Sequence, residues 1–128
     1  MMRVLGPESS LVDVVAQARD AGEDVFVVPA MPTKGESIAE FGVALRFPEW
    51  FGHNLDALAD ALHDFAEQVR AGDAVRHLVW TGVEVLRVEH HKAYEGICAV
   101  LDEVSEDHPR LHVTVLGGAA EGSAGVGH

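Results

Sequence analysis

Apolar and polar positions follow two different rhythms along this chain, and the changes of rhythm mark out its elements. Leu11, Val14, Val15 and Ala18 recur at the spacing of an amphipathic helix. Ser10 stands before them with Asp13 close behind, much like a capping box, and Gly22 supplies a stop. VFVVPA, residues 25–30, is instead a short unbroken apolar run, rich in β-branched residues and ended by Pro29. That composition predicts a strand buried on both faces. PTKG reads as a loop, and Glu36 to Arg46 as a helix with Ile38, Phe41 and Leu45 turned inward. Pro48 then forces a break.

The later half repeats the alternation. Asn54 can cap a helix whose Leu55, Leu58, Leu62 and Phe65 lie on one side. HLVWTG, residues 77–82, predicts a second strand with Trp80 in the core. VEVLRVEHH carries no assignable period. Ala93 to Val104 predicts a helix with Tyr94, Ile97, Leu101 and Val104 facing in, and LHVTVL, residues 111–116, a third strand. Strands separated by helices need crossover connections, so the expectation is an α/β single domain, a three-stranded parallel sheet covered by helices. Residues 1–24 are expected to be a helical extension packed on a domain spanning 25–116. Residues 117–128, GGAAEGSAGVGH, are expected to be a flexible tail.

Composition narrows the partners. A chain of 128 residues suits one domain with a real core. With 21 acids against 9 bases, the formal charge is −12. A field of that sign repels phosphate backbones and anionic membranes and speeds encounter with basic partners. Neither a nucleic acid nor a membrane is therefore an expected partner. The start of the chain lacks a charged and then apolar leader, and Cys98 as the single cysteine excludes an internal disulfide. Together these features point to the cytoplasm.

Position gives the charge its meaning. On a helical wheel Asp56, Ala59, Asp60, His63 and Asp64 occupy nearly the opposite arc to the leucines. Asp56, in a first turn, complements the helix dipole. Asp60, in mid-helix, has no such compensation, and like charges four residues apart cost about 0.2–0.5 kcal/mol. A solvated face would explain the acids alone. The loop before them adds Trp50 and Phe51 between Pro48 and Gly52, too short a stretch to bury both easily. An exposed aromatic leading into carboxylates has the composition of an interface anchor. The combination reads as a recognition surface for something basic.

FPEWFGHNLDALADAL, residues 47–62, resembles the hallmark segment of the barstar family. Pro48, Glu49, Trp50, Phe51, Gly52, Asn54, Leu55, Asp56, Ala57, Leu58 and Asp60 all fit its pattern of proline, acid, two aromatics, glycine and Asn-Leu-Asp-Ala-Leu, then an aspartate. The resemblance extends in element order over residues 25–116, so that span is expected to be a barstar-like domain. It implies an intracellular, stoichiometric protein inhibitor of a small basic barnase-type ribonuclease of the extracellular type. Such a protein is no enzyme, needs no cofactor or metal, and is monomeric when free. By position, Trp50 stands where the family has a tyrosine lying on the enzyme surface. Asp56 and Asp60 would enter the cationic site that otherwise binds RNA phosphate, and Glu103 falls near a family glutamate that adds an acidic contact. Ala59 departs from a frequent aromatic, and His63 and Asp64 depart from small or aromatic residues. These departures imply a different cognate nuclease.

Two other classes fit some of the same residues. An acidic adaptor could use this face on a basic partner that is not a nuclease. A metal-assisted hydrolase could be built on His53, Asp56, Asp60 and His63, although no CxxC or HExxH pattern is present. His90 and His91 are adjacent, a spacing that rarely chelates one ion. The serines lie in cap, loop or tail contexts without a nucleophile elbow, and Cys98 between Ile97 and Leu101 reads as a buried structural cysteine.

Overall fold

The computed structural model describes residues 1–48, 52–70 and 72–117. Its elements are β1 (Met2–Leu5), α1 (Leu11–Asp20), β2 (Asp24–Pro29), α2 (Lys34–Leu45) and α3 (Leu55–Glu67), followed by β3 (Arg76–Thr81), α4 (Glu84–Glu89), α5 (His91–Asp107) and β4 (Leu111–Leu116). The strands form one four-stranded sheet in the order β1-β4-β3-β2, with every neighbouring pair parallel. The α/β single domain is as expected, but the three-stranded sheet is corrected to four. Met2–Leu5 pairs with β4 in the register Met2↔Val113 to Leu5↔Leu116. At four residues it is too short to display a period of its own. Residues 1–24 thus supply an edge strand as well as a helix.

Strand β2 also differs from expectation. It lies at the opposite edge of the sheet, and of its residues only Val28 is fully buried, while Val27 remains 39% exposed. An edge strand has no neighbour beyond it, and the single helix on that face covers Val25 but not the strand's full length. The apolar run therefore reflects strand propensity more than burial on both faces.

Helix boundaries follow their caps. Ser10 Oγ accepts from Asp13 N–H at 3.3 Å to open α1, and Gly22 follows its end at φ 80°. Helix α2 begins at Lys34, inside the segment read as a loop. Thr33 accepts from Glu36 N–H at 3.2 Å and its hydroxyl donates to Glu36 Oε1 at 3.0 Å, a variant of the capping box. VEVLRVEHH resolves into the short α4 and the start of α5. Six residues are too few to show a helical period.

The sheet order separates the layers. The chain crosses from β1 to the far edge by way of α1, then returns through β3 and β4 by way of the other helices. Crossovers of one hand running in opposite directions place their helices on opposite faces. Accordingly Val14 of α1 packs with Val79 and Leu116 on one face. On the other, Phe41, Leu58, Leu62, Ile97 and Leu101 pack with Leu78, Trp80, Val113 and Val115 in the main core. Gly96 lets α5 approach α3 closely, since a Cβ there would stand 2.9 Å from Leu55 Cδ1.

Candidate functional site

Helix α3 is held on its inner face and at both ends. Leu58 and Leu62 are fully buried, each worth about 1.5–3 kcal/mol of apolar burial. At the N-terminus Asn54 Oδ1 accepts from Ala57 N–H at 2.8 Å. At the other end Arg76, the first residue of β3, donates from Nη1 to Phe65 O at 2.9 Å and to Gln68 Oε1 at 3.2 Å. Its guanidinium carbon also lies 4.4 Å from the centre of the Phe65 ring. A cation among the last carbonyls of a helix complements its dipole.

The outer side of this fixed helix carries Asp56, Asp60 and Asp64, all exposed and one turn apart. Asp60 and Asp64 border a groove of about 530 Å³ whose other side includes Leu45, Phe47 and Pro48. Ala59 and His63 are half-buried. His63 Nδ1 lies 2.9 Å from His108 Nε2, so one ring donates the proton the other accepts. One ligand atom each of His63, Glu103 and Asp107 falls within 4.8 Å of the others. The fold therefore brings Glu103 of α5 to His63 of α3, and both α5 carboxylates are exposed. Trp50 lies outside the described residues, as do its neighbours Glu49 and Phe51.

Sequence reasoning missed Asp107 and His108, because the contact of His63 with His108 spans 45 residues and leaves no local pattern. It also passed over Glu23, His77 and His112, which meet from a turn and two strands. Among the described residues, the groups whose metal-capable atoms approach within 4.8 Å are Glu23–His77–His112 and His63–Glu103–Asp107. The proposed hydrolase set of His53, Asp56, Asp60 and His63 is not one of them. Side chains on successive turns of one helix spread along its axis instead of converging.

Further along α5, Tyr94 stacks on Trp80 with ring centres 5.9 Å apart. Burial, aided by Cys98, pushes the Tyr94 hydroxyl up to about 12, and burial likewise raises the Cys98 thiol. A raised, half-buried thiol packed against the core suits structure, not nucleophilic attack. Among the described residues no helix is long and apolar enough to cross a membrane.

The site is thus a row of exposed carboxylates on a helix held at both ends, beside a partly apolar groove that Arg46 also lines. The family model described as Barstar (barnase inhibitor) matches residues 11–116. The chain belongs to the barstar family. No curated protein matches it. Among solved structures, a chain of "Structure of Drosophila ORC bound to DNA" is similar with a TM-score of 0.57 and 14% identity, over 94% of this chain and 67% of that one. At that identity the likeness is one of fold alone.

Proposed function

We propose that this protein is an intracellular, stoichiometric inhibitor of a small basic barnase-type ribonuclease. The observation that carries the reading is the row Asp56, Asp60 and Asp64, exposed on a helix pinned at both ends and lying within the family match. A ribonuclease site is a concave array of positive groups preorganised for a phosphodiester. Carboxylates held on a rigid helix occupy such a site as phosphate mimics and need no bond making. Rigidity matters because a helix already ordered before binding adds no backbone ordering cost on binding. Glu103 and Asp107 extend the acidic surface onto α5, and Trp50 at the entry loop is the expected aromatic anchor. Ala59 and His63 on the same face give the contact its own shape and so its choice of enzyme.

The test uses the protein as bait at low salt against lysate and secreted fractions of the source cells. An Asp56→Ala, Asp60→Ala double mutant serves as the matched control, and each eluate is assayed for ribonuclease after dissociation. The expected result is a basic ribonuclease retained by wild type alone, and inhibited by it one to one without added metal. A selective partner lacking nuclease activity would identify an acidic adaptor instead.

A further inference from the structure

On the sheet face opposite α3, three side chains from three separate elements converge. Glu23 follows Gly22 in the turn between α1 and β2, and His77 and His112 are register partners on β3 and β4. Glu23 Oε1 lies 2.7 Å from His77 Nδ1, and Oε2 lies 3.1 Å from His112 Nδ1. One donor atom from each residue falls within 4.8 Å of the others. His77 is buried, while the Glu23 and His112 side chains are 15% and 28% exposed, which leaves an approach from solvent past His112. Behind His77, Nε2 lies 2.7 Å from Thr114 Oγ1, and Arg3 donates to that same oxygen at 3.3 Å.

We propose that Glu23, His77 and His112 form a zinc site with three protein ligands and one position left to water. Two imidazoles and a carboxylate are the donor set that zinc takes in sites with an open position. Zinc bonds of about 2.0–2.2 Å place tetrahedral neighbours roughly 3.3 Å apart, so the 2.7 Å contact of Glu23 with His77 would open while donors standing up to 4.8 Å apart would draw together. Each ring offers its Nδ1 lone pair once its proton resides on Nε2. For His77 that Nε2–H meets the Thr114 hydroxyl oxygen, whose two lone pairs serve both the ring and Arg3. Thr114 is thus a positioning residue that fixes the tautomer and the ring plane. The ion would tie the α1–β2 turn to the starts of β3 and β4. It lies away from the acidic face of α3 and does not depend on the inhibitor reading. The other convergent group, His63–Glu103–Asp107, is the weaker candidate, since His63 Nδ1 already faces His108 and both carboxylates are exposed.

Chelator-treated full-length protein titrated with zinc chloride, followed by calorimetry and by ¹⁵N spectra of the histidine rings, tests the site. The expected result is one zinc ion bound at this site, shifting the ring nitrogens of His77 and His112 and raising the unfolding temperature. His112→Gln and Glu23→Gln should abolish that binding, Thr114→Val should weaken it by about 10–100-fold, and His63→Gln should leave it intact. Thermal unfolding of the metal-free variants checks that they fold. Absence of ring shifts for His77 and His112 in the wild type at millimolar zinc would overturn the proposal. So would binding that survives His112→Gln or vanishes with His63→Gln.

Discussion

Asp60 has a like charge one turn away on either side, Asp56 and Asp64, and all three are exposed. Each such pair costs a helix about 0.2–0.5 kcal/mol. Asp60→Ala should therefore leave stability unchanged or raise it by up to about 1 kcal/mol in urea denaturation, while weakening partner binding by at least about 2 kcal/mol. Clear destabilisation would mean that the carboxylate serves the fold. Tyr94, the single tyrosine, gives a second measurement. Burial is the largest cause of its rise to about 12. Absorbance of the phenolate should show a folded midpoint near 12, against about 10 in urea. Between those values the folded state holds a proton that the unfolded chain has released. Stability from this group is therefore full below about pH 10 and lost as the pH rises towards 12. Tyr94→Phe should remove that component of alkaline destabilisation, and an unchanged profile would assign it to other groups.

At the scale of elements, α3 is worth testing at its two ends. Asn54→Ala removes the acceptor for Ala57 N–H and should cost about 1 kcal/mol, most of it restored in Asn54→Asp. Arg76→Met keeps much of the apolar stem over Phe65 but loses the bonds to Phe65 O and Gln68, and should cost about 1–3 kcal/mol. Denaturant midpoints at constant slope would measure both, and no change in either would mean that burial of Leu58 and Leu62 alone holds the helix. This element was legible in the sequence because its leucines keep strict spacing over 13 residues behind an Asn cap. Arg76 was not, since its contacts form only when β3 is laid beside the end of α3. Strand β1 and helix α4 were missed for a different reason. Each is shorter than the window in which a period can show, and β1 exists as a strand only through its partner β4. The run 25–30 carried the opposite problem: a strong strand signal that could not reveal that β2 lies at an edge. Likewise the acids of α3 were readable on one wheel, whereas the approach of Glu103 and Asp107 to His63 required the packing of α3 against α5.

At the scale of the whole molecule, charge and contact should separate kinetically. The chain carries −12, and exposed acids occur on α1 as well as on α3 and α5. All of them contribute to the long-range field, but only those on the binding face meet the partner. Screening lengths fall from about 30 Å at 0.01 M salt to about 10 Å at 0.1 M, so the field reaches a diffusing partner only in dilute salt. The association rate with the proposed ribonuclease partner should therefore fall at least about tenfold between about 0.01 and 0.5 M salt, with a much smaller change in dissociation. Asp13 and Asp20 of α1 lie on the far side of the sheet from α3 and provide the control. Their joint change to Asn should slow association modestly at low salt and leave dissociation as it was. Asp60→Asn should instead speed dissociation at every salt concentration, because a close charge pair is lost at the contact itself. Stopped-flow measurement of both rates across a salt series distinguishes the cases. If the α1 variant sped dissociation while Asp60→Asn left it unchanged, the partner would be binding across α1 and the acidic row of α3 would not be the contact face.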